Sequence, residues 1–241
     1  MAENEYKELL EQNKELVAQL GTELVTYAVN QLSLKYDCGF AAFFFSGSAQ
    51  REQINLYLYP DYDRSLVFKA SIDEKTRTVR DSFIRALVAR RLKTETESIF
   101  SERKITASSV IFFSGEDDSE EDNTELKAED YLEKYKVDSV FFILAVSLSD
   151  SEKDLGEALL RCFAEISSRL KRDVVIRAYF FNEGYGECAR ALFSQPEPTE
   201  AWFEAFSPDA VSGFAILDGK PNVSADYLSE KLRYNSNGEQ L

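Results

Sequence analysis

The stretch from Val137 to Phe181 constrains the fold more than any other, because its hydrophobic period changes twice. Val140, Phe141, Phe142, Ile143, Leu144, Ala145, Val146 and Leu148 follow one another with almost no polar interruption. A short apolar run rich in aromatic and β-branched residues fits a strand buried on both faces, or a buried helix segment. Its length and the polar stop at Ser149-Asp150-Ser151 favour the strand. The same stop opens a helix: serine or aspartate can accept from free N–H groups, and Glu152 and Asp154 suit the positive end of the dipole. From Glu152 to Lys171, Leu155, Leu159, Cys162, Phe163, Ile166 and Leu170 recur at steps of three and four on one face. Glu157, Arg161, Glu165 and Arg169 alternate in sign on the other. Val174 to Phe181 then returns as a strand. The unit predicts two parallel neighbours joined by a right-handed crossover.

Around this unit the chain reads in order as follows. Asn4 to Lys35 is a helix, or two broken near Gly21. Gly39–Phe45 and Gln53–Tyr59 form a hairpin, Pro60-Asp61-Tyr62-Asp63 a turn, and Ser65–Ile72 a third strand of an antiparallel meander. Thr76–Phe100 is expected as a helix, and its Arg77, Arg80, Arg85, Arg90, Arg91 and Lys93 make it the basic element of an acidic chain. Ala107–Phe113 is a strand. Residues 115–125 hold the acidic run, expected as a solvated loop between halves. Leu126–Lys136 is a short helix leading into the central unit. Beyond Phe181 come a loop at Asn182–Gly186, helices at Glu187–Phe193 and Thr199–Phe206, a strand at Val211–Leu217, a turn at Asp218-Gly219 and a helix at Ala225–Leu232. The expected organisation is a unit over 1–114, the acidic linker 115–125, a second unit over 126–232 and a disordered tail 233–241. The fold class is α+β or α/β: mixed sheets with helices packed on them and a duplicated helix-strand-helix-strand unit.

Charge and missing residue types narrow the function. The net charge is −15, which disfavours nucleic acid and anionic membrane surfaces and favours a basic macromolecular partner. The chain holds no histidine. That removes the commonest general base, the Ser-His-Asp and Cys-His arrangements and most catalytic zinc sites. Cys38, Cys162 and Cys188 form neither a CxxC nor an even set, so neither a disulfide framework nor a zinc site is expected; Cys162 lies on the buried stripe of its helix. No apolar run reaches the length of a membrane-spanning helix. The expectation is a cytoplasmic protein, with an exported form lacking its leader as the alternative, and no cofactor.

The halves share local patterns. Lys35-Tyr36 runs into Gly39–Phe45 as Lys134-Tyr135 runs into Val140–Val146, and Ser71-Ile72-Asp73 leads into a helix as Ser147-Leu148-Ser149 does. Such recurrence reads as an internal duplication. Lys35-Tyr36, the run Tyr57-Leu58-Tyr59-Pro60, the strand Val67–Ile72 and a helix starting near Val79-Arg80-Asp81-Ser82-Phe83 also form a larger pattern. Over roughly residues 24–100 this pattern resembles small uncharacterised bacterial α+β proteins, often lipoproteins or relatives without the anchor. The resemblance implies a fold and no activity; no lipobox cysteine stands near Met1.

The expected function is therefore a non-catalytic interaction protein of the immunity or adaptor type. It would bind a basic partner through Glu116, Asp117, Asp118, Glu120, Glu121 and Asp122, with Arg80 and Arg91 as contacts for an acidic ligand. Two alternatives are a carboxylate- or metal-dependent enzyme, and a small-molecule-binding domain lined by the chain's many aromatic residues. The acidic run lacks the spacing and the turn glycine of an EF-hand.

Overall fold

The computed structural model describes residues 21–48, 53–113, 115–147, 152–181 and 211–218. The expectations for residues 4–20, for the helices at 187–193, 199–206 and 225–232, and for the tail lie outside these residues. The protein is a mixed α+β fold of two sheet-plus-helix units. One comprises Met1–Ala86 with Asp118–Thr124, the other Leu87–Asp117 with Glu125–Leu241.

In the first unit, helix α1 (residues 21–36) buries Leu24, Ala28, Leu32 and Tyr36, one residue per turn. Strands β1 (Phe40–Ser48), β2 (Gln53–Pro60), β3 (Phe68–Asp73) and β4 (Val79–Asp81) pair antiparallel in that order. The alternation in β2 and β3 is strict: Ile54, Leu56, Leu58, Phe68, Ala70 and Ile72 are buried, while Asn55 and Lys69 are exposed. On the buried side, Phe83 meets Tyr36, Phe40 and Phe68 at ring-centroid distances of 4.7, 5.0 and 5.0 Å. Such aromatic pairs contribute about 0.5–1.5 kcal/mol each beyond their burial.

The helix expected from Thr76 starts later, and a fourth strand takes its first turn. Asp73 is the cause. Its Oδ1 accepts from the Lys75 N–H at 3.0 Å, the Thr76 N–H at 2.7 Å and the Thr76 hydroxyl at 3.0 Å. Arg77 closes the turn in the left-handed region at φ 58°, and the Asp73 N–H donates to the Thr78 carbonyl. The chain reverses and pairs Val79–Asp81 with Ala70–Ile72. Helix α2 (Phe83–Glu102) begins only where Asp81 Oδ1 accepts from the Phe83 N–H at 2.9 Å. A cap of this kind contributes about 1 kcal/mol. Similarly, the third strand begins at Phe68 rather than Ser65, because Asp63 holds the Ser65 N–H and hydroxyl in a preceding turn.

In the second unit, β5 (Thr106–Phe113), β6 (Ser139–Ser147), β7 (Asp173–Phe181) and β8 (Val211–Asp218) form one sheet in that order. Strands β6 and β7 are parallel and joined by α4 (Glu152–Leu170), as the periodicity predicts. The other two pairings are antiparallel. β5, expected in the first half, aligns along its whole length with β6. α3 (Ala128–Lys134) precedes β6. The expectation that β6 is buried on both faces is corrected: Val140, Phe142, Leu144 and Val146 are buried, but Phe141 is 43% exposed, next to its partner Phe112 at 41%.

The two Lys-Tyr pairs fall at matching places. Tyr36 and Tyr135 are both buried at the end of a helix, and each is followed by a left-handed residue, Asp37 at φ 50° and Lys136 at φ 48°. A strand follows in each case. Two four-stranded sheets with this shared junction are the arrangement an internal duplication would leave, although only the second contains a parallel pair. α2 and α4 end alike, at Lys104 (φ 59°) and Lys171 (φ 50°). At α2 and α3 the ladder closes as a Schellman motif: Ile105 N–H to Phe100 O, Val137 N–H to Leu132 O.

Candidate functional site: an anchored acidic segment

The site is built on two helix ends of the first unit. α1 delivers Lys35 and Tyr36 at its C-terminus, and the cap of α2 delivers Asp81, whose side chain is 2% exposed. Asp81 Oδ1 lies 2.7 Å from the Tyr36 hydroxyl and 2.9 Å from the Phe83 N–H, while Oδ2 accepts from Lys35 Nζ at 3.0 Å. One turn along α2, Arg85 Nη2 donates to Asp118 Oδ1 at 2.8 Å.

Asp118 brings the acidic segment onto this cluster. The Ser119 carbonyl accepts from Lys35 Nζ, and the Glu121 carbonyl lies 3.0 Å from the Tyr36 hydroxyl. The phenol has one proton, so it donates to Asp81 or to Glu121 at any instant; the shorter, charged acceptor is favoured. The segment also folds on itself, with the Glu121 N–H donating to the Asp118 carbonyl and Glu121 Oε1 accepting from the Asn123 N–H. Asp118, Ser119 and Glu121 are buried, whereas Glu120 and Asp122 are exposed. The stretch expected as a solvated loop thus alternates between anchors and displayed carboxylates. Burial, then the charge of Asp81 and its hydrogen bond, then the charges of Asp118 and Asp122, raise the Tyr36 phenol far above its ordinary range.

The sequence-selected residues divide between the units. Asp118, Glu120, Glu121 and Asp122 come together in the first. Arg80 is also there, exposed on β4 opposite Ser71, on the other side of the pleat from Asp81. Glu116 and Asp117 are exposed and belong to the second unit, where Glu116 pairs with Lys136 at 2.5 Å. Arg91 Nη1 donates to the Leu126 carbonyl at 2.6 Å, so it serves the chain's own backbone. Sequence reasoning did not select Lys35, Tyr36, Asp81 or Arg85. The Lys-Tyr pair was visible as a repeated marker; the partners it reaches were not. No group of three or more carboxylate or thiol side chains suited to a metal ion occurs among the described residues.

A second surface lies on the outward face of the same sheet. Phe43 and Phe44 are 49% and 54% exposed, and both are turned outward by a bulge between Ala42 and Phe44. Phe44 pairs with Tyr57, and Tyr57 with Lys69, in one row across three strands; Asn55, Ser71 and Arg80 form the next. Phe43 stacks on Tyr59 with centroids 5.8 Å apart and planes at 24°. Lys69 Nζ sits 5.3 Å from the Tyr57 centroid and Arg64 Cζ 5.8 Å from that of Tyr59.

No protein-family model matches the chain, and comparison with curated proteins gives no match. Among solved structures, the chain is similar to a DUF5037 family protein from Ruminococcus gnavus. The TM-score is 0.60 at 12% sequence identity, over 89% of this chain and 99% of that one. At this identity the likeness is one of fold alone.

Proposed function

We propose that the protein is a non-catalytic binding module that engages a basic protein partner, with the outward carboxylates of the anchored acidic segment, Glu120 and Asp122, at the centre of the contact. The observation that carries this reading is the alternation within residues 118–122. Buried Asp118, Ser119 and Glu121 fix the backbone, so Glu120 and Asp122 are held ready. A preordered contact loses less conformational entropy on binding than a flexible acidic tail does. The net charge of −15 adds long-range attraction for a basic partner and a faster encounter. The absence of histidine from the sequence and the internal use of Asp118 favour binding over catalysis.

The test is retention of proteins from a lysate of the source organism on the immobilised chain, at low and high salt, followed by mass spectrometry. The expected result is a basic protein that is retained by the wild type at low salt and released at high salt. A Glu120→Gln/Asp122→Asn variant should fail to retain it. Retention unchanged by that variant would refute the assignment to this segment. Retention of no basic protein would refute the reading itself.

A further inference from the structure

We propose that the outward face of the first sheet is a second docking surface, whose occupant is an acidic, apolar polypeptide segment in which carboxylates alternate with aliphatic or aromatic side chains. This surface goes beyond the acidic segment and has the opposite sign. Lys69 and Arg80 are exposed on it, Arg64 lies over the Tyr59 ring at its edge, and the chain around it carries −15. By register, Asp73 also falls on this side, and the Lys75 and Thr76 groups of the adjoining turn keep its carboxylate ionised; Arg64, Lys69 and Arg80 outnumber it there. The local field therefore favours a carboxylate.

The apolar half of the argument rests on Phe43 and Phe44. The bulge places two consecutive large side chains in solvent, at 49% and 54% exposure, beside Tyr57 and Tyr59. Half-exposed aromatic rings next to cations are the composition of interface anchors: covering them removes apolar area from water, and the cations orient the partner. The bulge also disturbs β1 as a pairing edge, so contact comes through side chains rather than by strand addition.

The same geometry argues against a nucleic acid. Base stacking needs open ring faces. Here Tyr59 has Phe43 against it at 24° and Arg64 near its ring, while Tyr57 carries Lys69.

The experiment uses the full chain and a fluorescein-labelled peptide of alternating glutamate and leucine, read by anisotropy. A lysine-leucine peptide and oligouridylate of similar length serve as comparison probes. Saturable binding of the glutamate-leucine peptide that weakens with added salt is expected. Lys69→Glu/Arg80→Glu and, separately, Phe43→Ser/Phe44→Ser should each weaken it about tenfold or more. Circular dichroism and the urea midpoint check that each variant is folded; all four positions are exposed. Glu120→Gln/Asp122→Asn should leave this binding unchanged, which separates its outcome from that of the acidic segment. No saturable binding, binding indifferent to either pair of substitutions, or tighter binding of oligouridylate would overturn the proposal.

Discussion

Replacing Tyr36 by phenylalanine should produce two stability curves that cross in alkali. At neutral pH the substitution removes the phenol proton that lies between Asp81 Oδ1 and the Glu121 carbonyl. Asp81 keeps Lys35 and the Phe83 N–H, so the loss is that of one charge-assisted bond, about 1–2 kcal/mol. The phenol's raised pKa works in the other direction at high pH. A tyrosine in the unfolded chain ionises near about pH 10, while the folded one holds its proton. Above that point the unfolded state binds fewer protons than the folded state. The contribution of Tyr36 is thus complete below about pH 10 and falls by about 1.4 kcal/mol for each further pH unit. Phenylalanine has no such loss, so an initial gap of about 1.5 kcal/mol closes roughly one unit higher, near about pH 11. The assay is urea unfolding of both proteins across a pH series, followed by circular dichroism. Taking the difference between the two cancels the other alkaline groups. A gap that stays constant or widens above about pH 10 would show that the phenol is not held neutral by burial beside Asp81.

Asp81→Ala removes the α2 cap and the partner of Tyr36 and Lys35 together and should cost about 2–4 kcal/mol in urea unfolding; Asp81→Asn, which keeps the cap, should recover about half. Asp118→Asn should cost about 1–2 kcal/mol rather than more, because Arg85 is 31% exposed and can rehydrate, whereas Glu120→Gln should change stability by less than about 0.5 kcal/mol. Lys104→Gly and Lys136→Gly should each raise stability by about 1 kcal/mol in the same assay, since both residues occupy left-handed backbone that glycine adopts without penalty. Burial pushes the Cys162 thiol up to about 11, so it should resist iodoacetamide in the native protein at neutral pH and react once urea unfolds it, as read by peptide mass mapping.

The parts of the fold that were legible are those where burial alone sets the period. α4 and its flanking strands follow directly from the stripe Leu159, Cys162, Phe163, Ile166 and Leu170, and the β2–β3 pairing from the alternation of Ile54, Leu56 and Leu58. The turns were less legible because none of the left-handed residues Asp37, Arg77, Lys104, Lys136 and Lys171 is glycine. At Arg77 this hid β4 altogether: Thr76, Arg77 and Thr78 look like the start of a helix unless Asp73 is seen to capture the backbone first. The exposure of Phe43 and Phe44 was not legible because consecutive aromatics in a regular strand point to opposite faces, and the bulge that turns both outward leaves no mark in the composition. The acidic stretch misled for another reason. Its anchoring relies on the Ser119 and Glu121 carbonyls, which every residue carries, and on Lys35 and Tyr36 some eighty positions away.

That reliance on backbone carbonyls bears on how the two surfaces of the first unit can coexist. Lys35 and Tyr36 hold the acidic segment by its main chain, so the side chains at Glu120 and Asp122 stay outward. The opposite charge sits across the sheet, and the pleat of one short strand separates them: Asp81 turns inward to Tyr36 and Lys35, while its neighbour Arg80 turns outward beside Ser71. A one-residue slip of β4 against β3 would exchange the two, placing a guanidinium against Lys35 and a carboxylate on the cationic face. Both outcomes are unfavourable, and the slip would also remove the α2 cap at Phe83. The charge pattern of the unit and the register of its shortest strand therefore enforce each other, which is why three residues suffice to define that edge of the sheet.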